Sequence, residues 1–220
     1  MVTVSRADPK PTGWAGMRLH IAVFIACALG AAALVGAAMV LHVGPWAEEP
    51  LPVFWAVPTF NLTDQQGRPF GSADLNGRAA LFSFVYTNCP DVCPLLTSNM
   101  AQIQHRLRTK GLLGTKVELV SVTVDPRRDT PSVLAEYASR YHADADAWRF
   151  LSGEPDSIYE VLWGFKLNTV EVARAFEGAD VVPHASRFVV VDPSGQVRGQ
   201  PMGDQTPIDD IVRMVERVAP

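Results

Sequence analysis

The chain has 220 residues, enough for one ordinary domain and an appendage, and 48% of them are hydrophobic, an excess gathered at one end. Beyond residue 20 it carries 16 Lys and Arg against 22 Asp and Glu, a formal charge of −6. That acidity argues against nucleic acid and against anionic membrane surfaces as partners.

Ile21 to Leu41 runs 21 residues without a charge and is rich in Ala, Val, Ile and Leu. At ~1.5 Å rise per residue it spans roughly the ~30 Å hydrocarbon layer of a bilayer. Residues 1–20 then read as a cytoplasmic tail and 21–43 as a transmembrane anchor. Arg6, Lys10 and Arg18 precede the apolar run and Glu48 and Glu49 follow it. The positive-inside bias therefore leaves the N-terminus in the cytoplasm and everything from about Pro45 outside. A cleaved signal peptide is the main alternative, but its apolar region would be ~7–15 residues. Only six apolar residues precede Cys27, and Phe24 suits a lipoprotein processing site poorly, so Cys27 reads as a small apolar residue of a retained anchor.

Pro45, Pro50, Pro52 and Pro58 make residues 44–58 a stiff, extended linker. The remaining 59–220 form the exterior domain. Phe60 to Phe70 predicts a hairpin turning at Asp64-Gln65-Gln66-Gly67. Ala79 to Tyr86 is a nearly unbroken apolar run, as in a central strand buried on both faces. Pro94 to Lys110 predicts a helix, with Leu96, Met100, Ile103 and Leu107 spaced four, three and four apart. Pro94 suits its first turn and Gly111 its end.

Val117 to Val124 is a second strand. Thr130-Pro131 caps and opens a second helix, whose Leu134, Tyr137, Ala138 and Tyr141 share a face. Arg187 to Asp192 and Gln196 to Gly199 pair around the turn Pro193-Ser194-Gly195. Thr206-Pro207 starts a last helix, with Asp209 and Asp210 early and Arg213 and Arg217 late. The fold class this predicts is α/β, in the chain order of a thioredoxin-like core, with an N-terminal hairpin and residues 142–186 inserted before the final strand pair.

With Cys27 in the anchor, Cys89 and Cys93 remain, in the run Thr87-Asn88-Cys89-Pro90-Asp91-Val92-Cys93-Pro94. A structural disulfide between them closes too small a loop to add much. Cys89 lies just past the buried strand and Cys93 at the mouth of the following helix. Unpaired N–H groups and a partial positive charge at a helix start favour thiolate, the form that binds metal and attacks disulfides. Redox thioredoxins place two residues between such cysteines; three let the sulfurs spread around an ion.

His184 supplies a third group, immediately before the strand starting at Arg187. In a thioredoxin-like core that loop passes beside the cysteine-bearing helix end. Two thiolates and an imidazole make a soft, low-coordination site suited to copper, Cu(I) above all. Zinc would ordinarily want a fourth protein ligand, for which Asp125 is the only nearby candidate. Asp125 has two readings of equal weight: a group that tunes the histidine or meets a partner, or part of a turn and capping cluster with Arg127, Arg128 and Asp129. Met100 faces the core by its spacing, and Met202 is a surface or packing residue.

The run Cys89-Pro90-Asp91-Val92-Cys93-Pro94, the segment from Ser121 through Asp125-Pro126 to Asp129-Thr130-Pro131, and His184 followed by Val191-Asp192-Pro193-Ser194-Gly195 together resemble the Sco (SenC) family from about Phe54 onward. The resemblance implies a thioredoxin fold that binds copper through Cys89, Cys93 and His184. It further implies a metallochaperone that delivers copper to the Cu-A centre of cytochrome c oxidase subunit II or another copper protein, or reduces that site's cysteines. The setting would be the inner membrane of a bacterium, with the domain in the periplasm or outside. The chain departs from the family pattern around the histidine, reading Pro183-His184-Ala185 where members often carry an acidic residue and a serine.

Three functions compete for these residues. A copper metallochaperone ranks first. A thiol–disulfide oxidoreductase, with Cys89 and Cys93 as its redox pair, ranks second. A redoxin-type peroxidase ranks last, because it needs a threonine three residues before its cysteine and Thr87 is two before Cys89.

Overall fold

The computed structural model describes residues 14–42, 49–75, 77–90, 92–178 and 186–220. They divide into two units, Met1–Glu49 and Pro50–Pro220. The first contributes α1 (Trp14–His42), a 29-residue helix through the charge-free run. Ile21, Val23, Phe24, Ile25, Leu29, Leu34 and Val35 on it are all exposed. Within α1 the described side chains are those of residues 20, 21 and 23–37. Among the described residues no helix is long and apolar enough to cross a membrane. The helical part of the anchor expectation is seen; the membrane-spanning part is not.

The second unit runs β1 (Asn61–Asp64), β2 (Pro69–Gly71), β3 (Ala79–Val85), α2 (Val92–Thr109), β4 (Val117–Thr123), α3 (Pro131–Arg140), β5 (Trp148–Ser152), α4 (Pro155–Gly164), α5 (Thr169–Phe176), β6 (Val189–Val191), β7 (Val197–Gly199) and α6 (Ile208–Val218). The strands form one sheet in the order β2-β1-β5-β4-β3-β6-β7. Strands β3, β4 and β5 are mutually parallel, and β6 and β7 continue antiparallel. All seven residues of β3 and of β4 are buried, because helices cover both faces. Leu81 joins Leu96, Met100, Ile103 and Leu107 of α2, Leu134 of α3 and Ile211 and Val215 of α6 on one face. Phe82 and Phe84 join Ile158 and Leu162 of α4, Phe165 at its C-terminal cap, and Val172 of α5 on the other.

The hairpin forms as the sequence predicts, with Gly67 at φ 77° and its N–H on the Asp64 carbonyl at 2.9 Å. Thr130 caps α3 and Pro131 opens it. One expectation needs correction. Residues 51–57, expected within a linker over 44–58, belong to the domain. They run along the outer edge of β7, where Phe54 N–H reaches the Val197 carbonyl at 2.9 Å and Val57 N–H the Gly195 carbonyl at 2.8 Å. Covering that edge leaves no open row of backbone donors there. Within the expected insertion 142–186, β5 pairs with both β4 and β1 and places Trp148 and Phe150 in the core.

Candidate metal centre

The site is built at the C-terminal ends of β3 and β4. Val124 N–H donates to the Val85 carbonyl at 2.8 Å, so the two strands leave the sheet together. The chain from β3 then turns sharply, with Cys89 N–H on the Tyr86 carbonyl at 3.2 Å. Helix α2 begins three residues later and carries Cys93 in its first turn. Both cysteines are buried and free of disulfide bonds, and they pack with Val85, Tyr86 and Val92. Cys93 N–H points at Cys89 Sγ from 3.5 Å, and the two sulfur-bearing side chains lie within hydrogen-bonding reach of each other.

Cys89 Sγ has the backbone N–H of a helix start in front of it. Burial pushes the Cys93 thiol up to about 12, against the backbone N–H of Tyr86, which favours its thiolate. At Cys93, in the first turn of α2, burial works against the thiolate that a helix start favours. Burial and a hydrogen bond with Cys89 likewise push the Tyr86 phenol up to about 12.

Supporting bonds fix this corner from both sides. Thr97 Oγ1 donates to the Cys93 carbonyl at 2.8 Å and shares a second bond of 2.8 Å with the Tyr137 hydroxyl. On the other side Asn99 of α2 donates to the Gly203 carbonyl at 2.7 Å, and Gly203 N–H reaches the Ser186 carbonyl at 2.6 Å. Gly203 has to be glycine here, since a Cβ would stand 2.5 Å from Leu96 Cδ2. The segment leading into β6 is thus tied to the helix that bears Cys93.

Of the three sequence-predicted ligands, the structure brings Cys89 and Cys93 together, while His184 lies outside the described residues. Among the described residues no group of three or more His, Cys, Asp or Glu is arranged to hold a metal. Asp125 belongs to a turn. Arg128 donates to its carboxylate at 2.8 Å, and its carbonyl accepts from Arg128 and Asp129 N–H in a turn. Met100 is fully buried in the core and Met202 is exposed, as their spacing and position predict. Sequence reasoning missed Tyr86, Thr97, Asn99 and Tyr137. None carries a motif, and their roles exist only once α2, α3 and the last turns of chain meet.

A thioredoxin-like α/β domain with two neighbouring cysteines at the mouth of the helix after its central strand is a dithiol protein, in which metal binding and disulfide exchange draw on the same sulfurs. Residues 54–219 match the SCO1/SenC family, and the chain belongs to it. The SCO1 protein homolog of Bacillus subtilis (strain 168) is 33% identical over 168 residues, which cover 75% of this chain and 83% of that relative. Among solved structures, BsSco, a member of the Sco family of cytochrome c oxidase assembly proteins in which a disulfide switch was identified, is 32% identical with a TM-score of 0.64. The match covers 76% of this chain and 95% of BsSco. Yeast Sco1 with copper bound is 28% identical with a TM-score of 0.58, covering 75% and 94% of the two chains.

Proposed function

We propose that this chain is a membrane-anchored copper carrier of cytochrome c oxidase assembly, which holds its cargo between Cys89, Cys93 and His184 and delivers it to the Cu-A site of subunit II. The observation that carries this reading is the placement of two soft sulfur donors side by side at a helix start. Family membership supports it, as does yeast Sco1, a relative that holds copper. His184 stands two positions before Ser186, which is tied through Gly203 to Asn99 of α2.

Replacing His184 tests the ligand set. His184→Ala should keep its fold and still form a Cys89–Cys93 disulfide, because exchange depends on the thiols themselves. It should lose the copper(II) charge-transfer spectrum, bind copper(II) at least about tenfold more weakly, and fail to support oxidase assembly when copper is scarce. Wild-type oxidase activity in His184→Ala cells at the lowest copper supply would remove His184 from the site.

The anchor is the charge-free helix over 21–41, flanked by positive residues before and acidic residues after. The full chain should stay with membranes through alkaline carbonate washing, and a reporter fused after Pro220 should be active outside the cytoplasm. A reporter active only in the cytoplasm would reverse the orientation.

A second reading, thiol–disulfide exchange, is favoured by the two thiols lying within reach of each other. One of the pair attacks a partner disulfide, and the other resolves the mixed disulfide. The partner gains two electrons and two protons, and this chain is left with the Cys89–Cys93 bond. The His184→Ala comparison separates the readings, since oxidase assembly by this route would survive it.

A further inference from the structure

A buried carboxylate stands one layer behind the cysteines. Asp129 is 1% exposed and belongs to the turn that precedes α3, its own N–H held by the Asp125 carbonyl at 3.0 Å. Its side chain accepts Thr123 Oγ1 of β4 at 2.6 Å, Thr87 Oγ1 at 2.6 Å and Thr87 N–H at 3.1 Å. Thr87 is the second residue of the turn that Cys89 N–H closes on Tyr86, so the carboxylate grips the outside of that turn. The inside is open to Cys93, whose N–H meets Cys89 Sγ. Two hydroxyls and one amide converge on this carboxyl group; burial pushes its pKa up, and these hydrogen bonds favour its charged form.

We propose that Asp129 is a positioning residue for the dithiol: by clamping Thr87 to β4 it holds Cys89 Sγ against the start of α2, within reach of Cys93. This rests on Cys89 and Cys93 being the working thiols. The charge of Asp129 also raises the Cys93 thiol. Its positional action runs through Thr87, which Thr87→Val isolates, and the quantity it controls there is the effective concentration of one thiol at the other. Without the clamp, the turn exchanges its carboxylate for water or for nothing, and Cys89 samples positions away from the helix mouth.

The test is the dithiol–disulfide equilibrium of the full-length chain, purified in detergent and poised with glutathione. In this exchange the two thiols give two electrons and two protons to oxidised glutathione, which becomes two reduced glutathiones. Asp129→Asn should lower the effective concentration at least about tenfold, the scale of losing a charged hydrogen bond. Asp64→Asn is the control. Asp64 is also 1% exposed and also accepts backbone N–H groups, from Gln66 and Arg68, but it sits in the β1–β2 turn. That variant should lose stability and leave the dithiol equilibrium as in wild type. Thr87→Val, which removes only the hydroxyl bond, should shift the equilibrium in the same direction, and by less than additively when combined with Asp129→Asn.

An Asp129→Asn variant that loses stability like Asp64→Asn while its dithiol equilibrium stays within twofold of wild type would overturn the proposal. If Asp129→Asn does not fold, Thr87→Val decides alone, and an unchanged equilibrium there overturns it. Failure of wild type to bind copper would strike the carrier reading and leave this measurement intact, because glutathione exchange reads the thiols without metal.

Discussion

Replacing either Cys89 or Cys93 by serine is expected to abolish copper binding at the level of about one ion per chain. In the folded domain both sulfurs occupy one buried corner, within hydrogen-bonding reach of each other. A serine hydroxyl is a hard, neutral oxygen that copper(I) ranks far below thiolate. A competition titration with a copper(I) chelator should show each variant weaker by at least three orders of magnitude, or about 4 kcal/mol. Cys27→Ser, in α1 and exposed, should titrate like wild type. Full loading of either Cys89→Ser or Cys93→Ser would take the cysteines out of the site.

Truncating Trp148 to alanine is expected to be the most damaging single change in the core. Trp148 has no exposed surface, stacks on Phe150 with ring centroids 5.0 Å apart, and donates from Nε1 to Ser121 Oγ at 2.9 Å. Ser121 in turn shares a 2.8 Å bond with Ser83 of β3. Removing the indole leaves a cavity against α2 and α3 and takes the donor from a buried pair of hydroxyls. The expected loss is about 3–5 kcal/mol, a large part of the roughly 5–15 kcal/mol by which domains are stable. Trp148→Phe keeps most of the volume and should lose only about 1–2 kcal/mol, the share of the unmade hydrogen bond. Chemical denaturation of the two variants beside wild type measures both. A loss below about 1 kcal/mol for Trp148→Ala would mean that β5 is not part of the cooperative core.

How much of this could be read from the chain depended on how local the signal was. Strands β3 and β4 are legible because burial on both faces leaves them free of polar side chains, apart from small hydroxyls and Glu118. Helix α2 shows its period, and Thr130-Pro131 announces the start of α3. Strand β5 escaped notice because Arg149 interrupts its five residues. Only in the folded sheet do Glu118 at 3.0 Å and Asp64 at 3.3 Å meet that guanidinium, which also lies over the Phe70 ring. No periodicity reveals a charge whose partners come from two other strands. Residues 51–57 were read as linker for a similar reason. Their prolines speak for extended chain, and extended chain becomes the cover of a sheet edge only when β7 lies beside it.

The same division holds at the site. The sequence by itself determined that Cys89 and Cys93 flank the start of a helix after a buried strand, because strand, turn and helix are contiguous and each is signalled within a few residues. Only the tertiary structure decided that burial opposes the helix start at Cys93. A helix start favours thiolate, but desolvation depends on everything packed around a sulfur, and Cys93 is enclosed. It also decided which aspartate matters to the turn. Asp125 and Asp129 sit four residues apart in one polar segment and look alike in sequence. Asp125 faces Arg128, whereas Asp129 points inward and meets Thr87 and Thr123, because β3 and β4 end side by side.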